Sequence, residues 1–250
     1  VAASIDTPAG RSADRVTGPL SGRPPGLGPD RQPAPASVAV FDLDGTLVAG
    51  QTQVMLVKFL RRHGVVSQLF LLGTALWFLA YKARLVKVTE ASRQKGAQMF
   101  SGLSVEEVDR LMARFTDEEM MPRLHPAAAA ALAEHLAEGD RVVVVSAALD
   151  PLVKTLCARL GVRHFAGAPC EVVDGRYTGR LSGPTPYAAE KARVAGEFIA
   201  GWGADPADCW AYADHDTDLP LLRSVGHPVA VRPRPGLLAE AERMGWPILL

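Results

Sequence analysis

Three short apolar runs in this chain each stop at a side chain able to do chemistry, and that recurrence constrains the fold more than any other feature. Val38-Ala39-Val40-Phe41 runs into Asp42, Val142 to Val145 into Ser146, and Trp210-Ala211-Tyr212-Ala213 into Asp214. Runs this short and this rich in β-branched or aromatic residues read as buried strands. Separated by helical stretches, they predict a mostly parallel sheet covered on both faces. Parallel strands end at one edge, and open α/β sheets bind their ligands beyond that edge.

The intervening segments fill in the pattern. Good helix formers from Met55 to Arg62 and from Thr89 to Met121 predict an all-helical insertion directly after the first strand. Asp150-Pro151 is expected to open a helix as N-cap and N1, Gly161 to stop it, and Val162 to Ala166 to form the next strand. Glu171 to Thr178 alternates around Asp174-Gly175, a hairpin signal. A helix over 186–200 and a last strand over 228–231 follow. The expected organisation is an α/β, Rossmann-like core from 38–50 and 126–250, interrupted by a helical cap over 51–125. Residues 1–37, rich in proline, glycine, serine and arginine, precede it as a disordered tail.

Composition narrows the partners. With 48% hydrophobic residues, 250 positions can bury a full core plus an insertion. Lysine plus arginine equals aspartate plus glutamate at 27 each, so no broad basic field exists to hold nucleic acid, and any anion must be gripped locally. Three dispersed cysteines without a CxxC pair argue for reduced thiols and a cytoplasmic setting.

Asp42 and Asp44 stand two residues apart in Phe41-Asp42-Leu43-Asp44-Gly45-Thr46. One acid can attack as an anion while the other, its pKa pushed apart by burial and like charge, supplies a proton. The plain alternative is a strand-ending Asp-Gly turn. Three further positions bear on the choice: Ser146, Lys191 near the start of a helix, and Asp214 with Asp218 in Ala213-Asp214-His215-Asp216-Thr217-Asp218.

Taken in order, Asp42-Leu43-Asp44-Gly45-Thr46, Ser146, Lys191 and Asp214 with Asp218 resemble the four motifs of the haloacid dehalogenase superfamily of phosphohydrolases. Asp174 to Arg180, Asp218 to Leu222, Val225 to Pro228 and Gly245-Trp246-Pro247 resemble its subfamily IB, the relatives of phosphoserine phosphatase. The resemblance implies Asp42 as nucleophile forming an aspartyl-phosphate, and Asp44 as general acid and then base. Ser146 and Lys191 would bind the phosphoryl group. It implies Mg2+ held by the Asp42 and Asp214 carboxylates and the Asp44 backbone carbonyl, with Asp218 orienting water or Lys191 behind them. Lys154 competes with Lys191 for the cationic role, Ser146 could simply cap a helix, and His215 and Asp216 read as turn residues. Family ATPases carry threonine at the position of Asp44, so two acids indicate a phosphatase or, less often, a phosphomutase.

Substrate choice is expected to lie in the cap. Phosphoserine phosphatases have a glutamate at the position of Gln51, where it holds the substrate ammonium. A buried charged hydrogen bond is worth roughly 1.5–3 kcal/mol, so the neutral amide disfavours a free amino acid. Arg93 is the nearest match to the family's cap arginine. Residues 64–81 carry no charge and barely reach a membrane-spanning length; a single crossing there would part Asp42 from Ser146, Lys191 and Asp214. A buried cap helix, a helix lying on a membrane surface and a dimer contact all fit that stretch, and the oligomeric state is open. The expected substrate is therefore a small or amphiphilic phosphate ester. A membrane-surface phosphatase of lysophospholipid-type substrates and a non-catalytic phosphate-binding module are the alternatives.

Overall fold

The computed structural model describes residues 37–64 and 96–250. The expected N-terminal tail, the apolar stretch from residue 65 to 81 and Arg93 lie outside the described residues.

Six parallel strands form one sheet in the order β3-β2-β1-β6-β7-β8, with β1 at Val38–Phe41, β2 at Arg141–Leu149, β3 at His164–Ala168, β6 at Trp210–Ala213, β7 at His227–Val231 and β8 at Ile248–Leu249. All four β1 side chains are fully buried, and their alternation splits the interior in two. Ala39 and Phe41 join Val142, Val144, Tyr212 and Val229 on one face. Val38 and Val40 join Val143, Val145, Phe198 and Ile199 on the other, under α5 (Ala189–Gly201).

Inserted after β1 are α1 (Thr52–Arg62) and, beyond the segment outside the description, α2 (Val105–Phe115), followed by a π turn over Thr116–Met120. Leu56 and Phe59 of α1, Val108, Met112 and Phe115 of α2, and Phe100 ahead of α2 share one continuous apolar cluster with Phe41 and Val144 of the sheet. The helical insertion therefore packs on the core through buried side chains.

Between Thr89 and Met121, where good helix formers indicated a helical insertion, the described part is helical with one interruption. Within the described part, helix stops after a 3-10 turn at Gln98–Phe100 and restarts at Val105. Ser104 caps α2 with a reciprocal pair: its hydroxyl accepts from the Glu107 amide at 3.2 Å, and the Glu107 carboxylate accepts from the Ser104 amide at 2.7 Å. The backbone in the gap pairs instead with the hairpin of β4 (Cys170–Val173) and β5 (Arg176–Leu181). The Gly102 amide donates to the Tyr177 carbonyl, the Tyr177 amide to Leu103, and the Val105 amide to Gly175, at 2.8–3.0 Å. Sequence periodicity cannot see such a long-range ladder. The hairpin itself turns at Asp174 and Gly175, both at positive φ, as a two-residue Asp-Gly loop requires.

Two helices went unanticipated, α3 (Pro126–Glu138) and α7 (Pro235–Met244); α6 (Leu219–Leu222) is a single turn. Strand β2 runs three residues past Ser146, and its register against β3 shifts between Val145 and Leu149. Helix α4 (Asp150–Leu160) then starts with Leu149 at the N-cap position, so Asp150 is the first helical residue, not the cap. The Asp150 carboxylate crosses instead to β3, where its Oδ1 accepts from the Gly167 amide at 2.6 Å. Among the described residues, no helix is long and apolar enough to cross a membrane.

Burial pushes the Asp150 carboxyl up to about 6, against the pull of the Gly167 amide. An acid raised on folding contributes stability that is complete below its unfolded value near 4 and is lost as pH rises toward 6. Asp150→Asn keeps the acceptor and removes the ionisation. It should gain on the wild type by up to about 3 kcal/mol between pH 4 and pH 7.5 in urea unfolding; a pH-independent difference between the two would refute the buried-acid account.

Candidate active site

The site begins where β1 runs out. The Asp42 amide still donates to the Tyr212 carbonyl of β6 at 2.9 Å, which places its side chain at the carboxyl edge between two strands. The next residues curl back at once: the Leu47 and Val48 amides both reach the Leu43 carbonyl at 3.0 Å, and the Gly45 amide reaches Val48 at 2.8 Å. Fully buried Leu43, Leu47 and Val48 anchor this loop from below. Gly45 adopts φ +88°, and a Cβ there would lie 2.3 Å from Oδ2 of Asp214. Glycine is required here for both reasons, conformation and space.

Lys191 projects from the first turn of α5 into the interior. Its ammonium donates to Oδ1 of Asp42 at 2.8 Å and to Oδ1 of Asp218 at 2.6 Å, and all three side chains are buried. Burial would depress the lysine, but the two carboxylates overcome it and hold the ammonium above the ordinary lysine range. Thr46 donates its hydroxyl to Oδ2 of Asp42 at 3.3 Å. Lys154, the competing cation, points elsewhere: it pairs with Asp109 on α2 at 3.0 Å.

Asp44 faces the insertion. Its Oδ1 accepts from the Thr52 amide at 2.6 Å, so this acid caps the start of α1. Burial raises its pKa to about 6, opposed by the Thr52 amide and assisted by the charge of Asp42. Asp214, at the end of β6, is likewise raised to about 6, by burial and then by Asp42, against the pull of Arg234. Asp218 is raised by burial, against Lys191. Ser146 is buried at the end of the β2 core run, and its hydroxyl accepts from the Ala148 amide at 3.1 Å, a local turn bond.

Gln51 is exposed at the N-cap position of α1 and makes no side-chain cap bond. His215 accepts from the Thr217 amide at 3.1 Å within its turn, and Asp216 is exposed. Three residues around the site were not singled out in the sequence. They are Thr46, His125, whose amide donates to the Leu47 carbonyl at 2.9 Å, and Arg234, whose Nε lies 3.4 Å from Oδ2 of Asp214. The usable signal for Arg234 was its place just beyond β7, at the same edge as the acids.

Asp42, Asp214 and Asp218 offer carboxylate oxygens that all lie within 4.8 Å of one another, a donor set of hard oxygens suited to Mg2+. The cradle formed by Gly45 under the Asp214 carboxylate fits the same reading. A second group, His135, Glu138 and Asp140, has equally close donor atoms. There both imidazole nitrogens are already engaged, by Asp140 at 2.7 Å and the Tyr212 hydroxyl at 2.8 Å, so it serves packing under the sheet.

The model of the haloacid dehalogenase-like hydrolases matches residues 39–223. The chain belongs to this family. It is 31% identical to the "inhibition of morphological differentiation protein" of Streptomyces azureus over 225 residues, 89% of this chain and 81% of that one. It is also 31% identical to a phosphoserine phosphatase of Mycobacterium tuberculosis over 230 residues, 88% of this chain and 73% of that one. A crystal structure of a Bordetella pertussis protein of unknown function superposes with a TM-score of 0.78 at 27% identity, covering 86% of this chain and 98% of that chain. This protein is thus an enzyme, a hydrolase whose relatives include proteins named phosphatases, on the α/β core with inserted helices characteristic of that group.

Gly45→Ala should move the Asp214 carboxylate, because the added methyl occupies its place, and it adds about 1–3 kcal/mol of backbone strain. Displacements on this scale cost on the order of 10²-fold in rate. We expect hydrolysis to fall at least that far while the far-UV circular dichroism stays native; near wild-type turnover would contradict the close packing of loop against acid.

Proposed function

We propose that the protein is a magnesium-dependent phosphomonoesterase that works through an aspartyl-phosphate on Asp42. The observation that carries this reading is the pair of unlike acids: Asp42 held against the Lys191 ammonium at 2.8 Å, and Asp44 raised to about 6 by burial. An oxygen of Asp42 attacks phosphorus in line as the bond to the leaving oxygen breaks. Asp44 gives its proton to that oxygen. The same carboxylate then takes a proton from the water that cleaves the acyl phosphate, as one group can serve both directions.

The surrounding side chains stabilise charge. Lys191 offsets the negative charge gathered on Asp42 and on its phosphorylated form, and Asp218 fixes the ammonium from the other side. Ser146 only accepts in its bond with the Ala148 amide, which leaves its hydroxyl proton to donate to a phosphoryl oxygen. Asp42, Asp214 and the Asp44 carbonyl would hold Mg2+, with Asp218 behind them. When bound, the cation supplies charge neutralisation that the single ammonium among four acids does not.

Residues 51–125 act in this reading as the lid over the leaving group. Asp44 is tied to the first turn of that segment through Thr52, so the proton donor and the lid share an anchor. Neutral Gln51 speaks against a free amino acid ammonium as the determinant, and a small or amphiphilic phosphate ester is the substrate class we assign.

Asp44→Asn tests the division of labour. A general acid contributes about 10²–10⁴-fold where the leaving group needs protonation. The variant should lose about that much on an alkyl phosphate and far less in the first step with p-nitrophenyl phosphate, whose phenolate leaves unaided. Burst kinetics on the two substrates separate the steps, and equal losses in phosphorylation would remove Asp44 from the donor role. Asp42→Asn should abolish turnover of both substrates.

A further inference from the structure

The four acids of the site do not share their positive partners evenly. Lys191 serves Asp42 and Asp218, while the ion pair available to Asp214 among the described residues is Arg234, with Nε 3.4 Å from Oδ2. We propose that Arg234 is a place-holding counter-ion for Asp214, neutralising that carboxylate in the metal-free protein and competing with the divalent cation for it. The inference rests on the reading of Asp214 as a metal ligand given above.

The chain around Arg234 holds its backbone while its guanidinium lies half in solvent. The Arg232 amide donates to Leu249 at 2.7 Å, and the Arg234 amide donates to the Asp214 carbonyl at 2.9 Å. Pro233 stands between them, and Arg232 sits at φ +39°, a conformation that side-chain-bearing residues seldom adopt. The Arg234 side chain is nevertheless about half exposed, whereas the Asp214 side chain is 6% exposed. The oxygen it approaches, Oδ2, is the one that the Gly45 loop packs against.

These features separate a place-holder from a permanent structural pair. At 3.4 Å the contact is long for a charge-assisted hydrogen bond. A half-exposed guanidinium also moves into water at little cost, since pairs with one solvated partner are weak. Without a cation, however, Asp214 would stand beside Asp42 with like charge, and among the described residues Arg234, ahead of His215, relieves that repulsion. When a divalent cation arrives, the guanidinium must withdraw, and it remains close enough to repel the ion. Both effects lower cation affinity, and both end when the charge at 234 is removed.

The test measures the metal alone. Mn2+ binding to the full chain is read as loss of the free-ion electron paramagnetic resonance signal and is then competed with Mg2+. Arg234→Gln should bind both ions about three- to ten-fold more tightly than wild type, and Arg234→Lys should stay within about two-fold of it. The metal-free glutamine variant should unfold at a lower temperature than wild type and gain more on adding Mg2+. Unchanged or weaker affinity in Arg234→Gln overturns the proposal. Arg234→Met provides a second uncharged side chain, and a protein that folds with neither gives Arg234 a structural role instead, which also overturns it. Asp214→Asn separates the two levels: if wild type binds no divalent ion that Asp214→Asn abolishes, the metal-site reading fails first.

Discussion

Lys191 lies with its ammonium between two carboxylates, 2.8 Å from Asp42 and 2.6 Å from Asp218, in a cluster whose side chains are all 6% exposed or less. Removing Lys191 would leave two buried carboxylates without their cation, at a cost of about 3–5 kcal/mol. The arrangement ties together β1, which ends in Asp42, the turn after β6, which carries Asp218, and the first turn of α5. The remaining geometry of the site is subordinate to it, because the carboxylate proposed to attack and the ammonium proposed to stabilise its charge are fixed by the same contact. Asp214 and Asp44 lie outside this ion pair. Burial and the charge of Asp42 push both toward their neutral forms, which is where a divalent cation and a proton-transfer role respectively enter the proposed chemistry.

The helical insertion is joined to this centre by three different forces. Its apolar side chains continue the core on the Phe41 face of the sheet. Its first amide, at Thr52, is bonded by Asp44. Its backbone near Gly102 extends the β4–β5 hairpin, which leads along the chain to α5 and Lys191. Ion pairs that also span insertion and core, Lys154 with Asp109, Arg159 with Asp117 and Arg176 with Glu107, are solvent-exposed and therefore weak. Apolar burial and backbone pairing hold the insertion, and surface charge adds little.

Much of the fold was legible because its signals are local. The β-branched runs at Val38, Val142 and Trp210, the Asp-Gly hairpin and the Gly161 stop each involve a few neighbouring residues whose backbone preferences suffice. The readings that failed depend on distant partners. The helical insertion read from composition carried no sign of the break at Ser101–Ser104, where the backbone pairs with the β4–β5 hairpin. Asp150 was a fitting cap until the Gly167 amide, 17 residues away, took its carboxylate. Arg234 and His125 carried no motif at all and reached the site only because β7 and α3 deliver them to the same edge.

The sequence by itself determined the class of fold, because hydrophobic period and turn chemistry are written in adjacent residues, and, through the resemblance of its motifs, the family and the set of acidic, hydroxyl and cationic side chains at strand ends. Only the tertiary structure decided which lysine meets Asp42, that Asp44 also caps the insertion, and that an arginine leans on Asp214. Those outcomes rest on distances of a few ångströms between residues 8 to 149 positions apart. Burial, which sets the pKa of each acid, is likewise a property of packing that no local pattern encodes.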